Sequence, residues 1–235
     1  MSKVLIEEST MTAIADAIRA KSGKTEGMLP SAMSDEITNL PSGDNSELIG
    51  LIEGTCTTFT IPNGVTKIRD ECFSNNKYLD TVYLPNGVVS IGKESFYRCS
   101  NLTYISLPEG LTIIEEAALS NCDKLKLTSL PTSITSIDSY AFNYSKNVCI
   151  TSLPKGVTKI NTYVFGYSKM PYMTIHEGVT SISNSAFYSC TSMTEVTFEG
   201  TTIDMGDSVF KNCTNLTTIN VPWAEGAVSG FQASR

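Results

Sequence analysis

Cysteine is the most reactive residue type that recurs at a regular position in this 235-residue sequence. Four cysteines lie three residues after a bulky apolar residue, and they are Cys99, Cys122, Cys190 and Cys213. A tetrahedral metal site usually draws on closely spaced cysteines, and no Cys-x-x-Cys pair occurs. A recurring thiol is typical of a small buried side chain. We predict a ladder of buried thiols and no metal site, while a disulfide between neighbours such as Cys99 and Cys122 stays open.

His176 is the single histidine, and a hydrolytic triad would have to use it. Such a triad places the imidazole beside a hydroxyl nucleophile, but hydroxyl residues are so frequent here that their nearness would identify nothing. No Gly-x-Ser-x-Gly nucleophile motif occurs. We predict that His176 is a solvent-exposed turn residue. We also predict no catalytic residue, no cofactor and no enzymatic activity.

A further set of side chains could in principle bind calcium. Carboxylates and amides recur three or four residues before the bulky apolar position, at Asp70, Glu116, Asp138, Asn161, Asn184 and Asp207. The glycine-rich nonapeptide of calcium-binding solenoids is absent. An acceptor at this spacing fits the N-cap of a one-turn helix, so we predict capping rather than metal binding.

The charge balance excludes two classes of partner. The 17 Lys+Arg and 24 Asp+Glu residues give a net charge of −7, whereas binding to nucleic acid begins with clustered positive charge. No apolar run approaches the roughly 20 residues that span a bilayer. Glu7 and Glu8 stand where a secretory signal would have its apolar stretch. We therefore expect no nucleic-acid binding, no membrane insertion and no ordinary export.

An internal repeat organises the elements that would position these side chains. A hydrophobic residue followed by proline recurs every 23 residues, at Ile61-Pro62, Leu84-Pro85, Leu107-Pro108, Leu130-Pro131 and Leu153-Pro154. The series continues at Ile175-His176, Phe198-Glu199 and Val221-Pro222 after steps of 22, 23 and 23 residues. A second series keeps the same steps, at Phe73, Phe96, Leu119, Phe142, Phe165, Phe187 and Phe210. Two independent series thus agree on one register, with a one-residue deletion between Phe165 and Ile175.

Each 23-residue period is predicted to contain a strand, a turn, a short apolar segment, a bulky and usually aromatic residue buried between neighbouring units, and a second turn. We call this bulky residue the plug, and the plugs are the residues of the second series. Apolar residues alternate before the proline position, as at Ile105 and Leu107, which is typical of a half-buried strand. One period buries too little apolar surface to offset the entropy of ordering its backbone, so the units must stack. The sequence predicts a solenoid with about eight strands in one sheet.

The segment from Leu84 to Pro108 has the pattern Leu-Pro-x-Gly-Val-x-x-Ile-x-x-x-x-Phe-x-x-Cys-x-x-Leu-x-x-Ile-x-Leu-Pro. This pattern resembles the BspA-like leucine-rich repeat, and the resemblance covers about Leu51 to Val221. It implies an α/β solenoid, right-handed, with its strands on a concave face. Many members of that family are surface adhesins. Three departures, Leu119 for an aromatic residue and His176 and Glu199 for proline, keep the register.

Residues between the inward strand positions should form the concave face. The candidate ligand contacts there are Thr58, Thr60, Thr81, Tyr83, Thr103, Tyr104, Ser106, Thr194, Glu195 and Thr197. Tyr83 and Tyr104 are amphipathic and suited to contact with a glycan or a protein. Threonine also favours strands and keeps an exposed sheet soluble. The sequence does not choose between a binding face and a purely structural one.

The segments outside the repeat have a different organisation. Residues 1–40 predict a helical attachment or oligomerisation segment, residues 41–50 a linker, residues 51–222 the solenoid and residues 223–235 a tail. Residues 13–37 and 221–228 resemble segments of tail-associated proteins of phages and prophages of Gram-positive bacteria. That resemblance implies a virion protein assembled in the bacterial cytoplasm. Its N-terminal helices would contact other tail proteins or further copies of the chain, for example in a trimer.

Together these features predict a non-enzymatic binding or structural protein. The main hypothesis is a phage tail-associated component whose concave face recognises a glycan or protein of a bacterial surface. The alternative is a BspA-type cell-surface adhesin that binds host or bacterial proteins or glycans. A second alternative is a spacer without a ligand.

Overall fold

The structure is a computed structural model that describes residues 57–61, 63–201 and 203–222. The predicted N-terminal helices, the linker, the first residues of the predicted solenoid and the C-terminal tail lie outside this part of the chain. Within it, stacked coils with parallel strands confirm the predicted solenoid. Equivalent residues of neighbouring coils pair, as Phe59 does with Val82 and Val82 with Ile105.

Two ladders of short strands run along the stack. The longer strands form what we call the strand face: β1 (Thr58–Thr60), β3 (Thr81–Tyr83), β5 (Tyr104–Ser106), β9 (Tyr172–Ile175), β11 (Glu195–Phe198) and β13 (Thr218–Asn220). Two-residue strands form the second ladder: β2 (Lys67–Ile68), β4 (Ser90–Ile91), β6 (Ile113–Ile114), β7 (Ser136–Ile137), β8 (Lys159–Ile160), β10 (Ser181–Ile182) and β12 (Asp204–Met205). The second ladder has a strand from every coil between Lys67 and Met205, whereas the strand face has none between β5 and β9.

The strand face is divided into two sheets, so the prediction of about eight strands in one sheet is wrong. Strands β1, β3 and β5 form one sheet, and β9, β11 and β13 form another. The coils between them have only isolated bridges, Leu127 with Val148 and Ser152 with Thr174.

The order of apolar residues explains this division. After the buried Leu102 the next buried residue of the strand segment is Ile105, three positions on. After the buried Leu125 it is Leu127, only two positions on, and Val148 and Ile150 repeat that spacing. A shift of one residue exchanges the inward and outward positions of a strand, so a regular ladder cannot pass through these coils.

The second ladder is interrupted in the same region. It stops between β7 and β8, where the side chain of Asn161 donates from Nδ2 to Ile137 O at 2.9 Å. We call the boundary between the coils of Phe142 and Phe165 the seam, because neither ladder crosses it as a regular sheet.

A column of buried plugs holds the coils together, as predicted. Stacked rings join Phe73 to Phe96 at a centroid distance of 5.1 Å, Phe142 to Phe165 at 5.7 Å, and Phe165 to Phe187 at 5.6 Å. Leu119 takes the plug position in its coil and is fully buried. The column of plugs therefore crosses the seam that interrupts both ladders.

Each plug lies in a series of turns and not in a helix. The residues two before and two after every plug have φ between 51° and 65°, in the left-handed region. The plug segments also bond between coils, as Phe73 N donates to Ser95 O at 2.7 Å. No helix occurs among the described residues, because a left-handed residue on each side of the plug ends any helical turn.

The predicted helix N-caps are therefore wrong, and these side chains bond elsewhere. Asp70 Oδ1 accepts from Lys93 N at 3.1 Å, and Asn184 Oδ1 accepts from Asp207 N at 2.9 Å. Both bonds join one coil to the next. Asp138 instead accepts from the Ser136 hydroxyl within its own coil.

Ala117→Gly is expected to raise the free energy of unfolding by roughly 1 kcal/mol. A Cβ in the left-handed region costs about 1–2 kcal/mol, and the greater entropy of glycine in the unfolded chain offsets part of the gain from removing that Cβ. Ala117 has φ 52°. The matched control is Ala118→Gly, at a buried neighbour outside the left-handed region, which should lower stability. Urea denaturation of the three proteins measures both effects. Equal losses in the two variants would contradict the assignment of strain to Ala117.

Candidate functional site

Six of the ten predicted contact residues form one patch on β1, β3 and β5. The register places Thr58, Thr81 and Tyr104 in one row across the sheet, and Thr60, Tyr83 and Ser106 in a second row. The inward residues between these rows are buried. We call these six residues the first strand patch.

An aromatic pair dominates the first strand patch. Tyr83 and Tyr104 are 45 % and 46 % exposed, and their ring centroids lie 5.8 Å apart at an interplanar angle of 56°. The Ser106 hydroxyl takes part in a hydrogen bond within the fold, because its Oγ accepts from Leu84 N at 2.8 Å. The patch therefore presents two tyrosines among threonine hydroxyls on a paired backbone.

Thr103 precedes β5 and lies beside this patch rather than on its strands. Its Oγ1 donates to Asp80 Oδ1 at 2.9 Å. This bond joins two neighbouring coils, so Thr103 helps to position the first strand patch.

The remaining predicted residues belong to the other sheet of the strand face. Glu195 Oε1 accepts from Asn220 Nδ2 at 2.6 Å and from Thr197 Oγ1 at 3.3 Å. Thr194 precedes β11 and donates from Oγ1 to Pro171 O at 3.1 Å. The ten residues thus lie on or beside two separate sheets of the strand face, with Glu195 and Thr197 on the second sheet as its strand patch.

Sequence reasoning missed Tyr172 in the second sheet. It pairs in register with Glu195 and is 48 % exposed. The one-residue deletion lies just before it, so counting in steps of 23 residues fails at this position. The apolar alternation of Met173 and Ile175, both buried in β9, is the signal that could have placed it.

The cysteine ladder is confirmed as a structural feature. Each of the four repeat cysteines donates from Sγ to the carbonyl of a plug in the preceding coil, as Cys122 does to Phe96 O at 3.1 Å and Cys190 to Phe165 O at 3.0 Å. The six described cysteines are free thiols, so no bridge joins them.

The protonation of these thiols follows from their burial. Burial raises the pKa of Cys122 to about 12 and raises the pKa of Cys99 and Cys190. The hydrogen bond with Cys190 lowers the pKa of Cys213. The nucleophilic form of a cysteine is the thiolate, so the three thiols with raised pKa values are poor nucleophiles.

His176 is buried, which contradicts the predicted solvent-exposed turn residue. Only 4 % of its surface is exposed. Nδ1 accepts from Gly178 N at 3.1 Å, so the neutral ring carries its proton on Nε2, which lies 3.1 Å from Pro154 O and donates to it. The ring thus closes its own turn and bonds the preceding coil. A proline at this position could supply neither bond.

Charged side chains of different coils pair on the surface, between neighbouring coils for Lys93 and Glu116 and across one intervening coil for Lys67 and Glu115. Lys93 Nζ lies 3.0 Å from Glu116 Oε2, and Lys67 Nζ lies 2.8 Å from Glu115 Oε1. The hydrogen bond to each glutamate raises the pKa of its lysine. In the described part of the chain, no group of His, Cys, Asp and Glu side chains could hold a metal ion. The same residues include no helix of the length and hydropathy that crossing a membrane requires.

Stacked coils of about 23 residues, two parallel ladders and a column of buried plugs define the class of leucine-rich repeat solenoids. The sequence matches the BspA type leucine rich repeat region in six copies, over residues 53–171 and 124–225. The chain therefore belongs to the BspA-type leucine-rich repeat family. Proteins of this family and fold are typically binding scaffolds rather than enzymes.

Solved structures show the same fold. The leucine-rich repeat protein TpLRR of T. pallidum aligns with a TM-score of 0.62 at 24 % identity, covering 68 % of this chain and 78 % of that chain. A leucine-rich repeat protein from Bacteroides ovatus aligns with a TM-score of 0.53 at 21 % identity, covering 70 % of this chain and 55 % of that chain. Among curated proteins, no sequence matches this chain.

Proposed function

We propose that this chain is a non-enzymatic adhesion protein of a bacterial cell surface, and that its first strand patch contacts a glycan or protein ligand. The observation that carries this proposal is the exposed pair of Tyr83 and Tyr104 on the strand face. Tyrosine is enriched among the residues that dominate binding energy. It loses little side-chain entropy on binding.

The backbone beneath the pair supports the same proposal. Parallel pairing fixes β1, β3 and β5 against one another, so the outward side chains keep their spacing before a ligand arrives. A preorganised surface loses less freedom on binding than a mobile loop does. Membership of the BspA-type family supports the location, because such proteins are typically adhesive proteins of the cell surface.

A phage tail-associated component is the second candidate. Its support is the resemblance of residues 13–37 and 221–228 to tail-associated proteins. Of these two segments, only residues 221 and 222 belong to the described part of the chain. The candidates differ in where the protein is found. Immunogold labelling of washed cells, and of particles from an induced culture, separates them.

Tyr83→Ala combined with Tyr104→Ala is expected to weaken binding at least about tenfold, which corresponds to about 1.4 kcal/mol. Loss of both rings removes the aromatic contact while the buried residues of the two strands stay in place. The probes are washed bacterial cells, and a panel of immobilised bacterial and host glycans and host surface proteins. Binding of the purified chain to each probe is measured by biolayer interferometry.

Tyr78→Ala is the matched control for this experiment. Tyr78 is a comparably exposed tyrosine, at 37 %, that lies outside the strand face. Its loss should leave the affinity for the bound probe unchanged. If neither the cells nor any member of the panel binds the wild-type chain, adhesion is excluded and a spacer role takes its place.

A further inference from the structure

Five tyrosines form a second aromatic surface on the plug side of the coils. Two stacked pairs cross the seam, Tyr140 with Tyr163 at 5.4 Å and 7°, and Tyr144 with Tyr167 at 3.9 Å and 12°. Tyr188 lies 5.5 Å from Tyr163 and 5.6 Å from Tyr167. We call these five residues the tyrosine cluster. Its two rows run side by side and converge on Tyr188.

The rows end where the preceding coil has no rings. In that preceding coil Ala117 and Asn121 occupy the positions equivalent to Tyr140 and Tyr144. Their backbone N–H groups donate to the coil of Tyr140 and Tyr144, at Ser139 O and Asn143 O. The terminal rings Tyr140 and Tyr144 are 37 % and 38 % exposed. Each stacks on its partner with one face, so its other face is directed toward a small or polar side chain. Each row therefore ends in a partly exposed ring.

Polar groups lie at the edge of the tyrosine cluster, and those that form hydrogen bonds with its hydroxyl groups are uncharged. The hydrogen bond with Tyr144, together with burial, raises the pKa of Tyr167 to about 12, and Ser189 bonds the same hydroxyl. Asn212 Nδ2 donates to the Tyr188 hydroxyl at 3.0 Å. Among the described residues, no donor bonds the buried Oδ1 of Asn143, which precedes Tyr144 in the chain. The cluster thus combines ring faces with hydroxyl and carboxamide groups.

Tyrosine is a poor choice for these positions on backbone grounds. Tyr140, Tyr144, Tyr163 and Tyr167 have φ of 63°, 60°, 52° and 65°. A bulky side chain in the left-handed region is strained, and stacking of the rings offsets part of that cost. Other coils place Glu, Asn, Arg, Ala or Ser at the same positions. The left-handed backbone is thus common to every coil, and what distinguishes these four positions is their partly exposed, stacked rings.

We infer that the tyrosine cluster is a second binding surface, and that its ligand is a neutral oligosaccharide stacked on the exposed faces of Tyr140 and Tyr144. A pyranose ring has an apolar C–H face that packs on an aromatic ring and a rim of hydroxyls that need hydrogen-bond partners. Tyrosine hydroxyls and carboxamides supply those partners. The uncharged groups that bond the rings favour a sugar without carboxylate or phosphate groups. This surface lies apart from the strand face, so it does not depend on the proposed function.

Titration with cellohexaose, xylohexaose, mannohexaose and chitohexaose tests the inference. We expect at least one of these neutral hexasaccharides to bind the full chain, and saturation transfer from the tyrosine ring protons to reach the sugar C–H protons. Tyr140→Leu combined with Tyr144→Leu should raise its Kd at least about tenfold. Tyr83→Ala combined with Tyr104→Ala should leave that Kd unchanged, which separates this surface from the first strand patch.

A variant that keeps the rings guards against loss of the fold. Tyr140→Phe combined with Tyr144→Phe preserves the stacks and should retain saturation transfer with a smaller increase in Kd. The inference is overturned if none of the four hexasaccharides binds, or if binding is lost with Tyr83 and Tyr104 and kept in the leucine variant. A concentration-dependent dimer that dissociates in the phenylalanine variant, without saccharide binding, would overturn it as well and make the cluster a contact between copies of the chain.

Discussion

Phe165→Ala is expected to lower the free energy of unfolding by about 3–5 kcal/mol, which is the usual cost of removing a buried ring together with the cavity it leaves. Phe165 is fully buried and stacks on both Phe142 and Phe187. It also lies beside the seam, where neither ladder continues as a regular sheet. The contact between the two halves of the stack therefore depends on the stacked rings and on the plug segments, whose backbones bond across the seam, as Phe142 N does to Val164 O at 3.0 Å.

Phe210→Ala is the matched control, because this plug stacks on Phe187 alone among the described residues and is 8 % exposed. Its loss should destabilise the protein less than the loss of Phe165. Urea denaturation followed by circular dichroism measures both. We further expect a second transition in Phe165→Ala, since repeat proteins uncouple where the interface between neighbours is weakened. Equal losses of stability in the two variants would show that the seam has no special dependence on its plug.

Gly92→Ala is expected to lower the free energy of unfolding by about 1–3 kcal/mol, the usual cost of forcing extra atoms into a packed region. A Cβ at this position would lie 2.5 Å from Ile68 O and 2.8 Å from Asp70 N, and both are backbone atoms. Two neighbouring coils would have to move apart. The displacement would also break the bond between Asp70 Oδ1 and Lys93 N.

Gly87→Ala is the control for that substitution in the same coil. Its Cβ would meet Val65 O at 3.5 Å, an ordinary contact, and its φ is outside the left-handed region. This variant should match or slightly exceed the stability of the wild type, because alanine restricts the unfolded chain more than glycine does. Thermal unfolding compares the two. A Gly92→Ala protein as stable as the Gly87→Ala protein would contradict the close approach of the backbones.

Much of the fold could be predicted because two residue series repeat in one register. The hydrophobic-proline series and the plug series define the coil, and the thiols three residues after a plug follow from them. Counting in fixed steps also hides local exceptions. Leu127 and Ile150 are each one residue out of phase with Ile105, and that small shift divides the strand face.

The environment of His176 could not be predicted from its type. A histidine in a proline position suggests an exposed turn, yet its two ring nitrogens match a donor and an acceptor that the coil geometry places nearby. Pairing of this kind depends on the distance between coils, which the sequence does not give. The same limit applies to the tyrosine cluster, whose members lie one or two residues from a plug and meet only after the coils stack.

The seam also has a mechanical consequence. Backbone hydrogen bonds resist shear between adjacent coils, and at the seam the plug segments still provide them, as Tyr140 N donates to Thr162 O at 2.9 Å, while the second ladder does not. A rod built in this way is stiff along each half and compliant in the middle. Its two strand patches, one on each side, could then follow a curved or uneven surface without loss of order within either half.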